Sequence, residues 1–213
     1  MVSGVILAGG MSRRMGRDKA WVELAGQALI ERVCAHLREL CEELVVVAND
    51  PAPYARLGAR LTADVWPGKG SLGGIYSGLL SARFDQAIVV ACDMPFINPD
   101  LFRYMLGLAG DYDLVIPSAS DPSKPQAPKS ERPTAKDLDL HPLHAVYTKT
   151  CLAPMAARLQ SGDLRAISFF PDVRVRVVEP VEIERFDPQR LSLFNINTTE
   201  DLALADKLIG SAS

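Results

Sequence analysis

Three short runs of this chain are apolar at every position: Val5–Leu7, Leu44–Ala48 (LVVVA) and Ala87–Cys92 (AIVVAC). A strand with one face in water alternates apolar and polar residues, whereas a strand apolar throughout must be covered on both faces. Between these runs the apolar period changes. Leu29, Ile30, Val33, Leu37 and Leu40 recur at helical spacing, which predicts a helix from Leu29 to about Cys41. Covered strands alternating with amphipathic helices predict a three-layer α/β/α sandwich around a Rossmann-like, mainly parallel sheet.

The remaining elements follow the same alternation. Leu61–Asp64 reads as a shorter strand, and Gly68, Gly70, Gly73 and Gly74 as a flexible loop feeding a helix through Leu79 and Leu80. Asn98-Pro99-Asp100 starts a helix with Asn as N-cap and Pro at the first helical position. Tyr112–Ile116, His144–Tyr147, Val173–Val178 and a shorter Leu193–Ile196 are predicted strands. Leu152, Met155, Ala156 and Leu159 predict a helix closed near Gly162, and Asp163 a short one through Leu164, Ile167 and Phe170. Thr198 with Asp201 three residues on forms a capping box in its Asp form, before a terminal helix carrying Leu202, Ala205, Leu208 and Ile209. From Pro117 to Leu140 the residues turn to Pro, Ser, Lys and Asp without apolar periodicity, the pattern of a long mobile loop. A linker between two domains is the alternative, but the strands that follow look like more of the same sheet. One domain over residues 1–213 is therefore expected.

Composition narrows the function class. A net charge of −3 gives no general attraction to nucleic acid. Cys34, Cys41, Cys92 and Cys151 are scattered without a CxxC, the usage of buried thiols in a reducing compartment. No secretory h-region and no run of about 18 apolar residues is present, so a cytoplasmic location without a membrane span is expected.

The first strand ends in the sequence's densest chemistry, LAGGMSRRMGRDKA. Ala8, Gly9 and Gly10 remove side chains, and Arg13, Arg14, Arg17 and Lys19 place four cations in seven residues. Glycine lets backbone approach a ligand closely, and N–H groups with Arg and Lys bind phosphate by charge-assisted hydrogen bonds. A solvated basic turn is the plainer alternative. Neither this stretch nor PGKGS at Pro67–Ser71 fits a P-loop, and GxGxxG is absent. Ligands of open α/β sheets sit beyond the carboxyl ends of the strands, where Asp64 and Asp93 also fall. Magnesium is usually held by one or two carboxylates together with phosphate oxygens, so Asp93 is a candidate metal ligand; a capping role in the turn Asp93-Met94-Pro95 is the competing one. His141 and His144, three apart, lack further ligands for zinc, and contact of one of them with substrate is the better alternative. Cys92 and Ser12 lack a base that would make either a nucleophile.

Leu7–Lys19 resembles the signature LAGG-x-S-x-RMG-x-DK of the molybdenum cofactor guanylyltransferases, the MobA-like nucleotidyltransferases. Asp64, GSLGG at Gly70–Gly74, CDMP at Cys92–Pro95 and FNINTTEDL at Phe194–Leu202 are similar to further family motifs in the same order. The resemblance implies the nucleotidyltransferase fold and transfer of GMP from GTP to molybdopterin, with pyrophosphate released and Mg²⁺ as cofactor. It implies contacts of Leu7, Ala8 and Gly9 with guanine and ribose, of Arg14 and Lys19 with phosphates, and of Asp64 with the nucleotide. Asp93 would hold Mg²⁺, and Asn195 and Asn197 would line the acceptor side. The region Val47–Asn49 would help read the base, without a fixed register. Ser71, Gly73 and Thr199 depart from the motifs, which bears on acceptor geometry. Cytidylyl relatives usually carry Ala where this chain has Gly9, and the missing Cβ favours a purine. A cytidylyltransferase or other nucleotidyltransferase of the same fold, and a non-catalytic GTP-binding adaptor, are the alternatives. Transient contact with cofactor-synthesis proteins or molybdoenzymes is a further expectation.

Lys19 matches a fixed position of the motif and Arg17 a variable one. Lys19→Ala is expected to weaken GTP binding or turnover clearly, and Arg17→Ala not to, in titrations at fixed ionic strength. Equal losses would mean that only diffuse charge matters there.

Overall fold

Residues 1–8, 18–120 and 139–210 are described by the computed structural model of the chain. The three wholly apolar runs lie side by side: β1 (Val2–Leu7) is flanked by β4 (Glu43–Val47) and β6 (Gln86–Ala91), parallel to both. Val5 stands level with Val45 and Val89, so side chains of one pleat share a face across three strands. With β5 (Arg60–Thr62), β7 (Leu114–Pro117), β8 (His144–Thr148) and β9 (Val175–Val178) they form one sheet in the order β5-β4-β1-β6-β8-β7-β9. Only β8 runs against its neighbours among these strands. A hairpin of β2 (Glu23–Leu24) and β3 (Gln27–Ala28) stands apart from the sheet.

Both faces of the sheet are covered, as the apolar runs require. On one face Ile6, Val46 and Val90 meet α1 (Leu29–Arg38) and α3 (Pro99–Leu108). On the other, Val5, Val45 and Val89 meet α2 (Gly70–Ser81) and α4 (Leu152–Ser161). The chain then passes through α5 (Pro180–Ile183) to α6 (Thr199–Gly210), whose Ala205 packs with Ile196, Val22 and Leu24 in a third cluster. Asn98 caps α3 by accepting from the Leu101 N–H at 2.9 Å. Thr198 and Asp201 cap α6 reciprocally, each side chain accepting from the other's N–H.

Several expectations change. Gly70, Gly73 and Gly74 are not in a loop; they belong to α2. Gly74, and Gly78 further along the helix, serve close approach: a Cβ at Gly74 would lie 2.9 Å from Leu7 Cδ2, and one at Gly78 2.2 Å from Val5 Cγ1. The short helix expected after Asp163 is replaced by turns and a 3-10 turn, Phe170–Asp172. Leu193–Ile196 is not a strand either. Asp187 accepts from the N–H groups of Leu191 and Ser192 and winds Leu191–Leu193 into a 3-10 turn. His144 does not face a substrate: its ring is buried in the core, 4.5 Å from that of Phe102. Burial, with His141 second, pulls its pKa down to about 3, so it stays neutral. At the predicted loop Pro117–Leu140, Ser118 and Leu140 pair as an isolated bridge, and residues 121–138 lie outside the described residues. All four cysteines are free, three of them buried. No helix among the described residues is long and apolar enough to cross a membrane.

Two glycines separate packing from propensity. Gly78→Ala should destabilise by about 1–3 kcal/mol, because a new methyl is driven into Val5. Gly107→Ala, at an exposed position of α3 with nothing within 4 Å of a new Cβ, should stabilise by about 0.5–1 kcal/mol. Denaturant unfolding of both variants checks the sign of each change.

Candidate active site

The carboxyl ends of β1, β4 and β6 open into one cleft. Leu7 forms its floor, Val47, Ala48 and Asn49 one wall, and Ala91, Cys92 and Asp93 another. The first turn of α2 closes a third side with Gly70, Ser71 and Gly74. No side chain caps the N-terminus of α2, so its first N–H groups and helix dipole suit an anion. The cleft sits where an open α/β sheet places its ligand.

Lys19 comes from the 3-10 turn Lys19–Trp21, which Asp18 begins by accepting from the Ala20 N–H at 3.1 Å. Although charged, Lys19 is only 9% exposed. Burial of an ammonium demands partners, and two are supplied. Lys19 Nζ donates to Asp93 Oδ2 at 2.5 Å and to Asn197 Oδ1 at 2.8 Å. The Ile196 N–H donates to the main-chain carbonyl of Asp93 at 2.9 Å, which fixes the segment carrying Asn197 against the end of β6. Asp64 follows β5 and is also held: Oδ1 accepts from Trp66 N–H at 2.9 Å and lies 2.8 Å from the Ser77 hydroxyl on α2. Cys92 is no nucleophile. Burial, with Asp93 second, pushes its thiol far above the ordinary range.

Of the residues singled out by sequence, Leu7, Lys19, Asp64 and Asp93 meet in this cleft, and Asn197 joins them through Lys19. Asn195 is half-buried in the same segment and does not line the cleft. Ala8 is buried beside it with its backbone engaged: its N–H donates to Val47 O at 3.0 Å, and its carbonyl is 3.0 Å from the Tyr54 hydroxyl. Gly9 and Arg14 lie outside the described residues. The structure adds the first turn of α2, which GSLGG marked without revealing it as helix. It also fixes Asn49 as a wall residue and brings in Asp18 and Tyr54. Asp18 stood within the DK pair of the N-terminal motif; nothing in sequence pointed to Tyr54.

The MobA-like NTP transferase domain matches residues 4–174, a span that takes in most of β1 with Lys19, Asp64 and Asp93. The chain belongs to that family. It is accordingly a nucleotidyltransferase. Two relatives extend the likeness to the full length. A "Probable molybdenum cofactor guanylyltransferase" of Pelotomaculum thermopropionicum is 37% identical, covering 95% of this chain and 91% of its own. The molybdenum cofactor guanylyltransferase of Desulfosudis oleivorans is 34% identical, with 98% and 96% covered. The crystal structure of molybdopterin-guanine dinucleotide biosynthesis protein A from Archaeoglobus fulgidus superposes with a TM-score of 0.77 at 26% identity, over 98% of this chain and 99% of that one. Family membership and cleft agree in kind: a nucleoside triphosphate needs cations, donors and a carboxylate at the strand ends.

The Lys19–Asp93 pair changes what a substitution at Asp93 should do. A residue at a strand end is expected from sequence to matter for turnover more than for folding. Here its carboxylate neutralises an ammonium whose side chain is 11% exposed, its own being 20% exposed. Asp93→Asn is expected to lower kcat/KM at least about tenfold and to destabilise by about 1–3 kcal/mol, between exposed and buried ion pairs. Circular dichroism should stay unchanged while the denaturation midpoint falls. A wild-type midpoint together with wild-type turnover would remove Asp93 from both roles.

Proposed function

We propose that this chain transfers GMP from GTP to molybdopterin, giving the guanine dinucleotide form of the molybdenum cofactor and pyrophosphate. The observation that carries the reading is the convergence of Lys19, Asp64 and Asp93 at the carboxyl ends of β5, β1 and β6. It is supported by full-length relatives named for guanylyl transfer. A terminal phosphate oxygen of molybdopterin forms a bond to the α-phosphorus of GTP, and the bond from that phosphorus to the bridging oxygen of pyrophosphate breaks. The nucleophile is already an anion, so no strong general base is needed. The protein's task is to bring two anions together and to stabilise charge on the departing pyrophosphate.

Each part of the cleft has a share in that task. Lys19 has three N–H bonds, two of them directed to Asp93 and Asn197; among the described residues the third meets no partner, and a phosphate oxygen would take it. The first turn of α2 offers N–H groups to the phosphate chain, and Arg14 adds a cation on sequence grounds. Asn197, held to Lys19, would line the acceptor side, with Asn195 set back from the cleft in the same segment. Asp93 and Asp64 both line the cleft, and Asp93 would hold Mg²⁺ there together with phosphate oxygens, the usual Mg²⁺ environment. Mg²⁺ held there would supply positive charge to the oxygens that gain negative charge during transfer. Guanine presents donors at N1 and N2 and an acceptor at O6, and a wrong base would leave buried groups unpaired at about 1–3 kcal/mol each. Free cysteines suit a cytoplasmic workplace.

The test is pyrophosphate release with Mg²⁺ and molybdopterin from GTP, ATP and CTP in turn. GTP is expected to exceed both others in kcat/KM by at least about tenfold, about 1.4 kcal/mol. Equal use of CTP would replace this reading by cytidylyl transfer. Tight GTP binding without pyrophosphate release would make the chain an adaptor.

A further inference from the structure

We propose that Tyr54, acting through Asp18, is a positioning residue that sets Lys19 for the triphosphate; this rests on the nucleotide-binding part of the reading above. Tyr54 lies in the 3-10 turn Ala52–Leu57 that follows β4 and is 3% exposed. Its hydroxyl stands 2.7 Å from Asp18 Oδ2 and 3.0 Å from the carbonyl of Ala8. The other oxygen of Asp18 accepts from Ala20 N–H and so winds the turn that begins with Lys19. The far end of that turn is held as well. Trp21 stacks on the Tyr54 ring with centroids 5.7 Å apart and planes 25° from parallel. The Arg56 guanidinium covers Trp21 4.3 Å from its ring centroid.

Lysine is a flexible four-carbon stem, so its ammonium is only as well placed as the backbone that carries it. At this site that backbone is one short 3-10 turn, held at Ala20 by Asp18, which Tyr54 contacts, and at Trp21 by the Tyr54 ring. Packing alone would be satisfied by phenylalanine. The hydroxyl adds a link from the end of β4 to residues 8 and 18, which flank the stretch containing Gly9 and Arg14. Burial and the adjacent Asp18 raise the phenol far above its ordinary range, so it remains a donor. Its one hydrogen is shared between two acceptors.

That shortage of hydrogens makes a discriminating variant available. In Asp18→Asn the amide oxygen can still accept from Ala20 N–H. The amide nitrogen can donate to the Tyr54 oxygen, which frees the phenol hydrogen for Ala8. Every bond is kept and only the charge is lost. Asp18→Ala removes the bonds.

The experiment is calorimetric titration of the full chain with GTP and with CTP, alongside thermal unfolding and the KM for each substrate. Tyr54→Phe is expected to weaken GTP binding about tenfold (about 1.4 kcal/mol) and to raise the KM for GTP but not for molybdopterin. Asp18→Ala should do at least as much, and the double variant no more than Asp18→Ala alone, since both act on one link. Asp18→Asn should bind GTP as the unmutated chain does. Unchanged affinity in Tyr54→Phe, multiplying losses in the double variant, or Asp18→Asn as weak as Asp18→Ala would each overturn the proposal. If Tyr54→Phe does not fold, the Asp18→Asn and Asp18→Ala pair decides alone. The two readings separate in the same data. Equal GTP and CTP affinities, both lowered by Tyr54→Phe, would remove the guanylyl assignment and keep the positioning role. A preference for GTP over CTP, with GTP affinity untouched by Tyr54→Phe, would do the reverse.

Discussion

One nearly buried ammonium couples folding to the site. Lys19 Nζ is bonded to Asp93, 74 residues along the chain, and to Asn197, 178 residues along it. An ammonium out of water is costly unless charge and hydrogen bonds compensate it. Separating the end of β6 from the turn after β1 would leave a charge without its partner, and separating the C-terminal segment would remove one of the ammonium's hydrogen bonds, so the three segments support one another. The same atoms would meet the nucleotide. In the proposed reaction stability and ligand geometry therefore share one interaction, and a change at any of the three residues would be felt in both.

The second constraint is steric. Helix α2 crosses β1 so closely that Gly74 and Gly78 leave no space for a methyl group toward Leu7 and Val5. Close approach has a consequence at the helix's other end. It draws the first turn of α2, with Gly70 and Ser71, onto the cleft beside Asp64, and Ser77 of the same helix holds Asp64 in place. Glycines that resemble a loop motif thus act as a spacing device, bringing a helix N-terminus to where phosphate would lie.

This explains what sequence could and could not disclose. The strands β1, β4 and β6 were legible because runs such as LVVVA and AIVVAC have no polar face to expose. Caps at Asn98 and Thr198 were legible because they act within four residues. Asp64 and Asp93 followed from strand ends, and Lys19 from its motif. The misreadings have one cause. Gly70, Gly73 and Gly74 have low helix propensity, and at Gly74 only the closeness of Leu7 on β1, far away in sequence, shows why a glycine is needed. Leu193–Ile196 is apolar like a strand but is bound by Asp187 and Asp93 into a turn and an extended link. Tyr54 carried no signal, because its partners Ala8 and Asp18 are 46 and 36 residues away. His144 reads as a polar residue available to substrate, yet the pleat of β8 turns it onto Phe102.

Placed end to end, these contacts form a path around the cleft. It leads from Tyr54 after β4 to Asp18, through the turn to Lys19, on to Asp93 after β6, and from the Asp93 carbonyl to Ile196. Apart from the step within the turn Asp18–Trp21, each link joins groups from different strand ends or loops. Reactions between two anions gain most from charge that is already aimed, because reorienting dipoles during the reaction costs free energy that a fixed site avoids. A chain with net charge −3 repels anions as a whole, and Debye screening confines that repulsion to about 8–10 Å. What decides binding is thus the local arrangement, and that arrangement is set by neutral and carboxylate groups holding the cation in position. On this view Asp18 and Asp93 are not competitors of the phosphates for Lys19. Asp93 holds the ammonium directly and Asp18 holds the turn that carries it, so that in the proposed reaction a phosphate would meet a cation already in place, which a freely moving lysine would not offer.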